Sequence, residues 1–355
     1  MLVSFIIVAY NAEKYLNNSL GCIVKQDYPN KKIEIILVDS NSTDNTKKMM
    51  LDFKKENSKK FNRIQILDNP KKILPCGWNV ALREAKGDAI VRVDAHSTFP
   101  NNFVSENVKE LETGENIVGG HRISVCDDES TWKKTLLIAE ESLFGSGIAK
   151  YRREDKREYV STLAHAMYRK KVFDEVGFYN ENLARTEDNE MHYRMKQKGY
   201  KFLLSPNVVS YHHARNTFKG MVKQKYGNGK WIGITMYHCP KCFSLYHFVP
   251  FAFVIGIIFS IIMTVLNLPI FLYLIFGAYI LFNLINLKSI IMAIFKLPIF
   301  LYLLFGAYTL FNIVNLISII VKNKFNLMYL LLPFILFILH ISYGMGTIVG
   351  LLKRK

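Results

Sequence analysis

From Phe248 to the C-terminus the chain contains no Asp or Glu, and residues 242–287, 297–321 and 325–352 carry no charged side chain at all. A helix needs about 20 apolar residues to cross a hydrocarbon core of roughly 30 Å. Runs of this length and purity predict membrane-spanning helices, and the first run is long enough for two. Asn267, Leu268 and Pro269 supply the turn chemistry that divides it. Residues 241–355 are therefore expected to form a transmembrane region of four helices, over 247–266, 270–287, 297–321 and 327–351.

A tandem copy lies within this region. LPIFLYLIFGAYILFNLINLKSII at 268–291 recurs as LPIFLYLLFGAYTLFNIVNLISII at 297–320, with 19 of 24 positions identical and a period of 29 residues. Two apolar copies without soluble repeats read as one duplicated span and not as a solenoid. With the preceding domain inside, Lys288, Lys296 and the Lys353-Arg354-Lys355 tail also fall inside, as the positive-inside bias favours. Lys322 and Lys324 fall outside, against that bias.

The first 247 residues hold 39 basic and 29 acidic side chains, +10 of the formal +17. The basic residues are scattered among acids, with no aromatic-interleaved stripe, which argues against nucleic acid as a partner. A face lying against anionic lipid accounts for the excess more simply. With half the residues hydrophobic and 5 cysteines in 355, disordered, collagen-like and disulfide-rich classes are excluded. Met1–Ala9 lacks a basic leader and its apolar stretch ends at Tyr10-Asn11, so no signal peptide is expected. The large domain is then expected in the cytoplasm, with its odd cysteines as reduced thiols. Cys239-Pro240-Lys241-Cys242, flanked by His238 and His247, has the ligand types of a zinc site, but its short spacing at a membrane entry fits interfacial, palmitoylated thiols better.

Residues 1 to 120 alternate apolar, β-branched runs with helical patterns. Strands are expected at Leu2–Ala9, Ile33–Val38, Ile64–Leu67 and Ala89–Val93, with helices at Ala12–Lys25, Thr43–Glu56 and Pro75–Ala85 between them. Such βαβ alternation implies an α/β fold with a mostly parallel sheet, whose ligands sit beyond the carboxyl ends of the strands. Polar clusters stand there: Tyr10-Asn11, Asp39-Ser40-Asn41-Ser42 and Asp94-Ala95-His96. Further on, a helix is expected at Trp132–Phe144, a charged loop at Tyr151–Glu158, a strand at Val160–Tyr168, and a helix opened by Thr186 as N-cap and closed by Gly199.

Each cluster allows a chemical and a plain reading. Asp39 can accept hydrogen bonds from a nucleotide base or ribose, or it can cap its own turn with Ser42. Asp94 and His96 are ligand types for Mg2+ or Mn2+, or parts of a solvated loop. Arg92, Asp94 and His96 alternate on an otherwise apolar strand, which favours the functional reading. Glu187-Asp188 suits the positive end of a helix dipole, or supplies a general base.

The order and spacing of Val8-Ala9-Tyr10-Asn11, Val38 to Asp44, Asp94-Ala95-His96 and Thr186-Glu187-Asp188 resemble the inverting family 2 glycosyltransferases of GT-A fold, most of all the succinoglycan-type exopolysaccharide glucosyltransferases. The resemblance covers residues 1 to about 250 and implies a nucleotide-sugar-binding catalytic domain over residues 1–240. It also implies donor contacts at Ala9, Tyr10, Asn11, Asp39 and Asp94, and a divalent cation, Mn2+ or Mg2+, at Asp94 and His96. Asp188 would be the base, with Glu187 beside it, and Lys230 would reach the leaving phosphate. Two departures stand out. His96 replaces the usual second aspartate, and Gln224-Lys225-Tyr226-Gly227-Asn228-Gly229-Lys230-Trp231 replaces the Q-x-x-R-W of processive synthases, which favours addition of one sugar.

The expectation is a multi-pass membrane enzyme that moves a sugar from a nucleotide sugar, a UDP-sugar, to a lipid-linked glycan in cell-surface or exopolysaccharide assembly. A polyprenyl-phosphate sugar synthase and a non-catalytic nucleotide-binding membrane module are the alternatives. A nucleotidyltransferase would want a glycine-rich, basic phosphate loop near the first strand, and Val8–Leu16 lacks one.

Overall fold

The computed structural model describes all residues except 127–129, 143–144, 146–147, 154–155, 215–216, 266–298, 323–325 and 354–355. Two compact units divide it. The first comprises Met1–Gly220 and Ile234–Phe243, the second Met221–Gly233 and Ser244–Lys355.

The first unit opens with β1 (Val3–Ala9), α1 (Glu13–Val24), β2 (Ile33–Asp39), α2 (Thr46–Asn57), β3 (Arg63–Asp68), α3 (Leu74–Glu84) and β4 (Ala89–Asp94). Every residue of β1 and of β2 is buried, as strands covered on both faces require. Next come β5 (Ser97–Thr98), α4 (Phe103–Glu112), β6 (Ile117–Val125), α5 (Thr131–Glu141), β7 (Glu158–Val160), β8 (Met167–Arg169), α6 (Lys170–Val176), α7 (Glu187–Gln197) and β9 (Phe202–His213). Among the described residues the strands form one sheet in the order β3-β2-β1-β4-β8-β6-β9-β5, with β7 on β9. The first four are parallel, and β8 runs antiparallel to β4 and β6, so the sheet is mixed.

Apolar stripes cover both faces. Leu16, Leu20, Met50, Phe53, Phe103 and Val108 bring α1, α2 and α4 onto Phe5, Ile35 and Val91. Trp78, Leu82, Phe173, Met191 and Met195 bring α3, α6 and α7 onto Ile6, Ile36 and Ile90. Arg92 and Asp94 continue the face that begins at Ile90, the side on which α3 and α7 pack.

The strand expected over Val160–Tyr168 is broken. Its ends belong to β7 and β8, which pair with different neighbours, and His165 between them has a left-handed φ of 47° that an extended run cannot hold. Thr186 stands at the N-cap of α7 without capping it, because its hydroxyl bonds that of Thr235. The helix expected at Trp132–Phe144 is α5, capped by Ser130, whose hydroxyl accepts from the Lys133 N–H.

The chain passes between the units within one helix, α8 (Phe218–Thr235), whose ends belong to the first unit and whose middle belongs to the second. In the second unit follow α9 (Val249–Val265), α10 (Ile299–Lys322) and α11 (Leu332–Leu352). The middle of α8 meets α11 through glycines. A Cβ on Gly229 would stand 1.9 Å from the Tyr343 carbonyl oxygen, and one on Gly346 2.2 Å from that of Tyr226. Only hydrogen at these positions lets two backbones approach so closely, the small-residue packing common between apolar helices. Among the described residues one stretch, Leu327–Leu352, is long and apolar enough to cross a membrane, and Leu245–Phe259 and Gly306–Ile319 are shorter apolar helices. The four-helix expectation is thus met at one span by length; the span expected at 270–287 and the first duplicate copy lie outside the described residues.

Candidate active site

The carboxyl ends of β1, β2 and β4 meet at one edge. Asn11 and Asn41 take left-handed backbone, φ 47° and 61°, which Asn tolerates better than most residues. The two loops are tied together. Ser42 Oγ accepts from the Asn11 N–H at 3.0 Å, and Asn11 Oδ1 accepts from the Thr43 N–H at 2.8 Å. Asp39 is 2% exposed, and its carboxylate accepts from the Ser42 N–H at 3.2 Å, so it holds the turn that its position allowed.

In front of these loops lies a cleft of about 330 Å³, lined by Tyr10, Asn11, Tyr15, Asp94, His96 and His213 among others. Tyr10 is 53% exposed, and the Tyr15 ring lies against His213 with centroids 5.2 Å apart. Aromatic faces with a few polar groups at the carboxyl edge of an α/β sheet suit a nucleotide. Ala9 lies buried at the end of β1 behind the cleft.

Asp94 is the meeting point of several histidines. Its Oδ2 lies 3.3 Å from His165 Nε2 and 3.7 Å from His212 Nδ1. One ligand atom from each of Asp94, His165 and His212 falls within 4.8 Å of the others. Ser210 Oγ fixes His165 from behind at 3.0 Å, a supporting contact of the kind that orients metal-bound imidazoles. Burial, followed by the Arg122 guanidinium, pushes His212 well below the usual imidazole range, and its Nδ1 has no hydrogen-bond partner. Burial alone would raise Asp94, but the hydrogen bond and charge of His165, with His96 and His212 beyond, hold its carboxyl well below the ordinary range. A carboxylate with two imidazole nitrogens fits a divalent ion, and one oxygen with two nitrogens suits Mn2+ better than Mg2+. His96, paired with Asp94 in the sequence reading, instead places its ring edge-on to His212 at 4.5 Å.

The second carboxylate site stands two residues earlier on β4. The Arg92 guanidinium, 5.0 Å from the Trp78 ring and 5.1 Å from the Tyr179 ring, pairs with Asp188 at the start of α7. Aromatic faces and a carboxylate together hold the cation in one orientation. Asp188 is 37% exposed at its side chain, while Glu187 is buried with one oxygen unpartnered. Burial, then the charge of Asp188, pushes Glu187 up to about 8, so at neutral pH it carries a proton beside an Asp188 paired with a cation.

Lys230 belongs to the middle of α8, in the second unit. Among the described residues no disulfide joins the cysteines, and the Cys242 thiol donates to the Cys239 carbonyl oxygen at 2.9 Å. Among the described residues the three-ligand cluster is Asp94, His165 and His212, with neither Cys239 nor Cys242 in it. The sequence reading missed His165 and His212 because they lie in a loop and at the end of β9, far along the chain from Asp94, and no local spacing links them.

A mixed, curled α/β sheet with paired carboxylates and a cation-ligand cluster at its carboxyl edge defines a GT-A-like transferase domain. The model of glycosyl transferase family 2 matches residues 4–177, and the chain carries a glycosyltransferase domain of that family. It is 27% identical over 281 residues to the dolichyl N-acetyl-alpha-D-glucosaminyl phosphate 3-beta-D-2,3-diacetamido-2,3-dideoxy-beta-D-glucuronosyltransferase of Methanococcus voltae, covering 77% of this chain and 84% of the relative. It is 29% identical over 199 residues to the succinoglycan biosynthesis protein ExoA of Rhizobium meliloti (strain 1021), covering 55% of this chain and 58% of that protein. The crystal structure of S. aureus TarS 1-349 superposes with a TM-score of 0.47 at 19% identity, over 63% of this chain and 64% of that one.

Proposed function

We propose that the protein is a membrane-bound, inverting glycosyltransferase that moves one sugar from a UDP-sugar to a lipid-linked saccharide. The observation that carries this reading is the spacing on β4. Arg92, which holds Asp188, and Asp94, which joins the cation ligands, lie two residues apart on one side of a strand, about 7 Å. That is about the width of a sugar ring, so an acceptor hydroxyl beside Asp188 and a diphosphate beside Asp94 can flank one anomeric carbon.

In this mechanism Asp188 takes the proton of the acceptor hydroxyl as the oxygen attacks the anomeric carbon from the side opposite the diphosphate. The bond from that carbon to the diphosphate oxygen breaks, and the configuration inverts. Asp94, His165 and His212 would hold a divalent ion, which when bound offsets the charge on the departing diphosphate. Tyr10 and Asn11 would face the nucleotide, with Asp39 fixing their loop. Arg92 keeps Asp188 oriented, and Glu187, protonated, adds no second negative charge to the acceptor side.

The acceptor class rests on the Methanococcus voltae relative, whose name specifies a dolichyl-phosphate-linked sugar. Apolar side chains exposed on the second unit, among them Leu310, Val314, Ile317 and Phe334, fit contact with lipid. Nucleotide sugars incubated with the detergent-solubilised full chain test the reading. Turnover of a UDP-sugar with Mn2+, lost in EDTA, is expected; no turnover of any nucleotide sugar would refute it and favour the non-catalytic alternative.

A further inference from the structure

Arg122, on β6, is 6% exposed, and its Nε and Nη2 have no hydrogen-bond partner. Two residues on, the buried Ser124 hydroxyl has the Glu141 carboxylate beside it. A cation out of water with N–H groups that donate to nothing is costly, and folded chains keep such groups chiefly where a ligand completes them. The surrounding charges leave Arg122 without a carboxylate of its own. Glu140 lies 3.7 Å from Arg152, and Glu141 Oε1 accepts from the Ser124 N–H at 3.2 Å. The Tyr151 ring, 5.6 Å from the Arg122 guanidinium carbon, supports the cation without satisfying its N–H groups.

The register fixes where these donors stand. Arg122 lies opposite Ser210 and Ser124 opposite His212 across the parallel β6–β9 pair, and facing residues of neighbouring strands point to the same side. Ser210 bonds His165, and His165 bonds Asp94, so the Arg122 and Ser124 donors adjoin the cation-ligand cluster. We propose that Arg122 and Ser124 form a phosphoryl-binding subsite beside the Asp94–His165–His212 cluster. The guanidinium fork matches phosphate oxygens, and the Ser124 hydroxyl adds one donor. The phosphoryl group is that of the donor diphosphate or of a polyprenyl phosphate acceptor. The inference deepens the sugar-transfer reading, and its test is a binding test so that the two can fail separately.

The full chain in detergent is titrated with UDP, with inorganic pyrophosphate and with polyprenyl phosphate in mixed micelles, as wild type, Arg122→Gln and Ser124→Ala. Loss of the Arg122 contacts should weaken the phosphoryl ligand by about 10- to 100-fold, and Arg122→Lys should recover part of that. Weaker UDP and pyrophosphate binding places the donor diphosphate at Arg122; weaker polyprenyl phosphate binding alone places the acceptor phosphate there. Unchanged affinity for all three ligands overturns the subsite. If Arg122→Gln does not fold, Ser124→Ala decides, with a loss of a few-fold expected and none overturning it. Failure of the wild type to bind UDP would count against the donor reading, and the pyrophosphate titration would still judge Arg122.

Discussion

Replacing Asp188 with Asn is expected to lower sugar transfer by about 100- to 10,000-fold, the usual cost of a lost general base, with donor affinity nearly unchanged. The amide keeps the shape of the side chain and its oxygen can still accept from Arg92, so the Trp78–Arg92–Tyr179 stack stays in place. What disappears is the carboxylate proposed to take the acceptor proton. Glu187 cannot substitute, since burial and its neighbour leave it protonated at neutral pH. Initial rates with saturating donor, alongside UDP titrations, separate the two effects. Wild-type turnover in the variant would remove Asp188 from the mechanism, and equal losses of rate and donor binding would point to a disturbed fold.

His212→Ala is expected to weaken Mn2+ dependence by at least about 10- to 100-fold, because the loss of a ligand should exceed the loss of a group that merely orients one. Excess Mn2+ should restore part of the rate. His96→Ala should have a smaller effect, as His96 meets His212 through its ring and stands outside the ligand cluster. Rates against Mn2+ concentration measure both variants. If His96→Ala abolished Mn2+ dependence and His212→Ala did not, the ligand set would be Asp94 with His96 after all.

The first half of the domain was legible because its strands are buried on both faces and so read as unbroken apolar runs, with helices of clear period between them. Asp94 and Asp188 were legible for a different reason: each follows directly on a recognisable strand end or helix start. The second half was not. β5 has two residues and β8 three, too few to show a period, and they exist only through pairing with distant strands. The loop that carries His165 reads as a continuation of an apolar run, since nothing local announces its left-handed turn. His212 is one of two adjacent histidines at the end of a strand, and its part in the cluster comes from the sheet order, which brings β9 to β4 through β6 and β8. Arg122 was passed over entirely, as one cation in a basic domain; only its burial without a partner singles it out.

The anomeric configuration of the product tests the central claim most directly. With a UDP-sugar, Mn2+ and a polyprenyl-linked saccharide, proton magnetic resonance of the first product formed should show a configuration opposite to that of the donor, because a single attack assisted by Asp188 can only invert. A product that keeps the donor's configuration would contradict the account, whatever the rate.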